Sequence, residues 1–244
     1  MAGTGWWQLP ATKPGVAMAA SAVLPGAGQY LLGEERWVPF VVLEVWAWLT
    51  YLDRRGDARS AERRYKDLAW LVARRVSVGE RRDSVFDYYE RMAQYETSGA
   101  FDIDPQRAGI QPEIDASTFN GNVWSLARSI YVPGGGNSPP ETVEYQRALA
   151  YYLRFAIAPP FAWAWGGSHL EQRVFSELIE ESDDAYRSAT LVAGAIVANH
   201  IVSAIDALIV ARLEAGTVSR FRLGSGLERD GDGFRWIAQA RIHW

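Results

Sequence analysis

Residues 188–211, SATLVAGAIVANHIVSAIDALIVA, hold one charged side chain, Asp206. At about 1.5 Å per helical residue this stretch is long enough to cross a hydrocarbon core of about 30 Å, so it predicts a membrane helix. Two further apolar segments stand near the start of the chain. Residues 15–33 carry no charge, and residues 37–52 carry only Glu44. Trp37 at one end of the latter, with Tyr51, Arg54 and Arg55 at the other, are the flanks of an anchored span. The mean hydropathy of −0.14 averages these segments with strongly charged ones and hides them. Eleven tryptophans fit the same reading, because amphipathic Trp concentrates where an apolar phase meets water or another subunit.

The first apolar segment is interrupted. In LPGAGQYLLG, residues 24–33, Pro25 cannot donate a backbone hydrogen bond, and Gly26 and Gly28 tolerate positive φ, so a helix starting near Gly15 should break there. A break inside lipid is tolerable only where neighbouring protein satisfies the freed groups. The small residues Ala19, Ala20, Ser21, Ala22, Gly26 and Gly28 allow the close approach that this needs, which predicts a bent or re-entrant helix packed on residues 37–52. A signal peptide is the competing reading, with Lys13 ahead of a short apolar run. Trp6 and Trp7 before it and the second apolar segment after it argue against that.

LPGAGQYLLG, the apolar helix after it, RRDSVFDYY at 81–89 and the late SAIDALIVARL at 203–213 together resemble an uncharacterised family of bacterial membrane proteins. That family is marked by a Pro-Gly-x-Gly-Gln-x-Tyr motif and a late Asp-Ala helix. The resemblance covers the two ends of the chain better than residues 97–140. It implies an integral bacterial membrane protein with a few spans and assigns no activity.

Between the apolar segments the chain is polar. Residues 53–82 hold ten of the 25 Lys and Arg against five acids, with Tyr65, Leu68, Ala69, Leu71 and Val72 at helical spacing. By the positive-inside tendency this side faces the cytoplasm, placing the protein in the inner membrane. Such a run reads first as a solvated helix face, and second as a surface for anionic head groups or an acidic partner. SVFDYYERMAQYE continues the amphipathic pattern, with Gly79 separating two helices. Residues 97–140 are dense in Gly, Pro, Asp and Asn and read as loops around NVWSLARSIYV. Gly134, Gly135 and Gly136 lack the Gly-Lys-Ser/Thr of a phosphate loop and form a linker. Glu141 or Thr142 then opens a helix that Pro159 and Pro160 stop. Phe161, Trp163 and Trp165 alternate in FAWAWGG, which suits either an interfacial contact with another subunit or core packing. An acidic helix follows, with Ser182, Asp183 or Asp184 as N-cap of the last span. Residues 214–244 carry alternating stretches, Ser219–Leu223 and Phe234–Ile242, around a Gly- and Asp-rich turn, the pattern of a β-hairpin. DGDG lacks the remaining ligands of a calcium loop.

The domain reading is therefore 1–52, an N-terminal membrane hairpin; 53–187, an extramembrane helical region with loops; 188–213, a membrane helix; and 214–244, a tail with a β-hairpin. The fold class is mainly α: an integral membrane protein with two or three membrane helices, one of them broken or re-entrant.

Few residues suggest chemistry. Asn199, Ser203 and Asp206 share one face of the last span, with His200 beside it and Glu44 on the other span. They read as interhelical hydrogen bonding or as an ion or proton site. His200 also raises pigment ligation, although Ile196 stands four residues earlier where light-harvesting polypeptides place a small residue. Three scattered histidines form no metal set, and a chain without cysteine has no thiolate nucleophile. A net charge of −4 exerts no global pull on nucleic acid. The expected role is a non-catalytic structural or accessory subunit of a larger membrane complex, with a photosynthetic reaction-centre and antenna assembly as one such host. Its partners are other membrane subunits and the bilayer, with no cofactor of its own beyond bound lipid or a neighbour's pigment. The interaction residues are Phe161, Trp163, Trp165, Asn199, Ser203, Asp206, Pro25, Gly26 and Gly28. The alternatives are a small transporter or channel component using Asp206, Glu44 and His200, and then a membrane enzyme sited in the polar region.

Overall fold

The computed structural model describes residues 13–76, 81–214, 221–230 and 233–242. Trp6, Trp7, Gly79, Ser219, His243 and the 231–232 turn lie outside them. The described chain is mainly helical: α1 Pro14–Val23, α2 Ala27–Leu31, α3 Trp37–Leu71, α4 Phe86–Gln94, α5 Phe119–Tyr131, α6 Val143–Phe155 and α7 His169–Arg212. Single 3₁₀ turns lie at Ala73–Val76, Pro133–Gly135 and Pro159–Phe161. Near the C-terminus the backbone forms two antiparallel strands, β1 Phe221–Asp230 and β2 Gly233–Ile242, registered from Phe221 opposite Ile242 to Asp230 opposite Gly233. Among the described helices only α7 is long and apolar enough to cross a membrane, by length and composition; 28% of its most apolar window is buried.

The chain divides into two compact units, residues 1–55 with 186–244, and residues 56–185. Each of the long helices α3 and α7 contributes an apolar half to the first unit and a charged half to the second. The expected N-cap at Ser182–Asp184 is absent. α7 runs through without interruption, and buried Ser182 donates its hydroxyl to the Ala58 carbonyl, 3.1 Å away on α3. A strong local capping residue in mid-helix finds a partner on the neighbouring helix instead.

In the first unit the broken helix takes its form from Pro25 and Gly26. α1 ends at Val23, Gly26 adopts φ +91°, and α2 folds back along α1. A Cβ on Gly28 would lie 2.6 Å from Ser21 Oγ and 2.7 Å from Ala207 Cβ and would strike the Ala17 carbonyl, so no side chain fits between α1, α2 and α7.

The second unit has an aromatic core. Tyr65 of α3 meets Tyr89 of α4 and Phe175 of α7 edge to face, and Trp165 packs on Phe175 with ring centroids 5.0 Å apart. α6 begins at Thr142, whose hydroxyl accepts from Tyr145 N–H, and ends at Phe155 ahead of Pro159. Buried Asn120 ties the loops: its Nδ2 donates to the carbonyls of Ala100 and Ile157, and its Oδ1 accepts from Ile157 N–H. Tyr152 shares its hydroxyl hydrogen between the carbonyls of Phe101 and Ala100, and burial pushes its pKa up to about 12.

Trp163 and Trp165 belong to this core and present nothing to a partner, being 1% and 2% exposed. The alternation that suggested an interfacial anchor is that of an extended segment running beside residues 96–98. Ser98 N–H donates to the Trp163 carbonyl, and Trp165 N–H to the Glu96 carbonyl. Successive side chains of an extended backbone point to opposite faces, so the two indoles enter the core together while Ala164 faces away. Their ring N–H groups donate to the Tyr95 and Met92 carbonyls. Phe161 is half-buried against Tyr88, also within this unit.

Candidate functional site

Among the described residues of the first unit several polar side chains are buried while many of the large apolar ones are exposed. Ser21, Gln29, Glu44, Asn199 and Ser203 are buried. Val42, Leu43, Val45, Trp46, Leu49, Leu52, Leu191, Val197, Ile201, Val202, Ile205 and Ile209 are exposed.

The buried groups form two hydrogen-bonded sets. The first surrounds the helix break. Gly26 N–H donates to Ser203 Oγ at 2.7 Å, and Gly28 N–H to Ser21 Oγ at 2.8 Å, so amides released by the break are met by α7 and α1. Ser21 in turn donates to Gln29 Oε1. Gln29 Nε2 donates to the Ser203 carbonyl at 3.0 Å and to Asp206 Oδ2 at 2.9 Å. Asp206 also binds the Arg36 guanidinium at 2.6 Å, in a half-buried ion pair. The second set centres on Glu44 of α3. Its Oε1 accepts from Trp48 Nε1 at 2.8 Å and lies 3.2 Å from His200 Nε2, and its Oε2 accepts from Asn199 Nδ2 at 2.9 Å. Asn199 also donates to the Phe40 carbonyl, and His200 Nδ1 lies 2.8 Å from the Ala22 carbonyl at the end of α1.

Asn199, Ser203 and Asp206 therefore do face one interior, but they are divided. Asn199 joins Glu44, whereas Ser203 and Asp206 join the break at Pro25, Gly26 and Gly28. Glu44 and Asp206, grouped in one candidate ion or proton site from the sequence, each have their own partners. His200 is not free to ligate a pigment, since both ring nitrogens are engaged within the chain. Sequence reasoning overlooked Arg36, took Ser21 only for its small size and Gln29 only as part of a motif. The available signal was Gln29 itself, a carboxamide in an otherwise uncharged apolar run, which requires partners when buried.

Among the described residues the second unit holds one buried cation. Arg74 is 2% exposed, lies over the rings of Trp70, Tyr88 and Phe161, and donates to the carbonyls of Arg82 and Pro160. Burial raises the Tyr88 hydroxyl, which donates to the Phe161 carbonyl, well above the ordinary tyrosine value. The aromatic faces stabilise the guanidinium, and among the described residues its hydrogen bonds to Arg82 and Pro160 go to carbonyls rather than carboxylates. No group of three His, Asp or Glu suited to a metal ion occurs among the described residues. No protein-family model, curated protein or solved structure matches the chain.

Proposed function

We propose that this protein is a non-catalytic structural or accessory subunit of a larger membrane protein complex in a bacterial inner membrane. The observation that carries the proposal is the inverted polarity of the first unit: carboxylate, carboxamide and hydroxyl groups inside, Val, Leu, Ile and Trp outside. In water such a surface would be costly, since burial of apolar area is the main favourable term in folding. In a bilayer or among other membrane helices it is the stable arrangement.

On this reading the apolar half of α7 is one span and residues 37–52 of α3 a second. α1, with ten residues, reaches about 15 Å at about 1.5 Å per residue, half of what a span needs. With α2 it forms a re-entrant hairpin. Arg54, Arg55, Arg59, Arg63 and Arg64, following the α3 span, assign residues 53–187 to the cytoplasmic side. The hairpin of β1 and β2 follows the α7 span.

The closed hydrogen bonding favours a structural role over transport. Asp206 is held by Arg36 and Gln29, and Glu44 by Trp48, Asn199 and His200, so each carboxylate has its own set of partners. The test is extraction from native membrane in mild detergent, followed by identification of what co-migrates. The expected result is a complex much larger than the chain, retained in Asp206→Asn, which keeps an acceptor for Gln29 while removing the charge. Migration as a monomer, or a transport defect in Asp206→Asn with assembly intact, overturns the proposal. Co-migrating polypeptides and pigments would distinguish a photosynthetic reaction-centre and antenna assembly from another host.

A further inference from the structure

The His200 ring meets oxygen on both sides. Nδ1 lies 2.8 Å from the Ala22 carbonyl oxygen, which can only accept, so Nδ1 carries a hydrogen. A neutral imidazole has one N–H, and this contact uses it. The 3.2 Å contact between Nε2 and Glu44 Oε1 then needs a second hydrogen, on one atom or the other. Neither remaining partner of Glu44 supplies a hydrogen to the ring: Trp48 Nε1–H and Asn199 Nδ2–H both point at the carboxylate.

We infer that Glu44 and His200 form a binding site for one proton, and that this proton closes a link from the end of α1 through α7 to α3. With the proton on Nε2 the pair is imidazolium and carboxylate. With it on Oε1 the pair is imidazole and carboxylic acid. The charge sums to zero either way, as burial favours. Among the described residues the other hydrogen-bond partners of the pair are neutral: the Ala22 carbonyl from α1, the Trp48 indole from α3 and the Asn199 carboxamide from α7. Asp206 is held by Arg36 at 2.6 Å and by Gln29 at 2.9 Å.

When the proton leaves, one N–H must serve two oxygens. Either the Ala22 carbonyl or the Glu44 carboxylate then faces a nitrogen lone pair, and a buried negative charge is left uncompensated. The link is whole while the proton is bound and loses one of its two ring contacts without it. The inference concerns contacts within the chain and stands independently of the subunit reading.

The test uses the full chain in detergent micelles with His169→Gln and His243→Gln, so that His200 gives the only imidazole ¹⁵N signals. At neutral pH, Nδ1 should bear a proton; a neutral ring with bare Nδ1 and protonated Nε2 overturns the inference. The second arm adds Glu44→Gln. Its side chain can neither take up nor release a proton, so Nε2 should carry none and the ring should be neutral with Nδ1–H where the Glu44 protein holds the second proton. An unchanged titration in Glu44→Gln overturns the shared proton. Should that variant fail to fold, the Nδ1 measurement on the Glu44 protein decides alone.

Discussion

At the scale of single residues, the tightest constraint is Gly28. Its missing side chain lets α2 lie against the Ala17 carbonyl, Ser21 and Ala207, while its N–H is taken by Ser21. Gly28→Leu must push α2 off both neighbours, and overpacking of this kind costs about 1–3 kcal/mol. A lowered melting temperature in detergent is expected. An unchanged melt would mean that Gly28 does not sit between helices. Tyr152 sets a different test in the second unit. Burial lifts its pKa from the ordinary 10.0 to about 12. Because the folded value is the higher one, its contribution is intact below about pH 10 and falls as pH rises through about 12. Near-ultraviolet circular dichroism should therefore show alkaline loss of aromatic packing in this window. Tyr152→Phe should weaken the pH dependence there and lower neutral-pH stability by about 1 kcal/mol, the usual net worth of a hydrogen bond.

At the scale of elements, α7 is the test case, because a strong capping cluster lies in its middle and yet it does not break. An amphipathic helix is held mainly by the face it buries, and that face continues through Phe175, Ile179, Ser182, Ala185, Ala189, Ile196, Asn199 and Ser203. Val197 lies off this face and is exposed. Val197→Pro therefore disturbs no packing but removes a backbone donor and clashes with the preceding turn, at about 3 kcal/mol or more. The expected outcome is loss of the membrane-bound form on fractionation. Normal membrane yield would show that α7 need not be one continuous helix.

At the scale of the whole molecule, the two units obey opposite rules. The second buries aromatic rings and keeps its charges outward, apart from Arg74 in its aromatic setting. The first buries several polar groups and turns many of its large aliphatic ones outward. A lipophilic carbene reagent generated in native membranes should label Val42, Leu49, Ile201 and Ile205 and leave Tyr89, Trp165 and Phe175 untouched. Protection of all four aliphatic positions would mean that other subunits cover them. Labelling of the aromatic core would contradict its burial.

The sequence alone determined what depends on neighbours along the chain. Pro25 and Gly26 break a helix wherever they stand, Thr142 caps one through its own hydroxyl, and the charge-free length of residues 188–211 is a local property. Tertiary structure decided the meetings between distant residues. Gln29 reaches Asp206 from 177 positions away and Glu44 reaches Asn199 from 155, and no spacing rule relates such pairs. The same holds for Trp163 and Trp165. Alternation marks an extended segment, but only the sides of Tyr88, Met92 and Phe175 waiting across from it decide that the indoles turn inward. Local chemistry fixes backbone conformation, whereas the partner of a side chain depends on which elements the fold brings within a few ångströms of it.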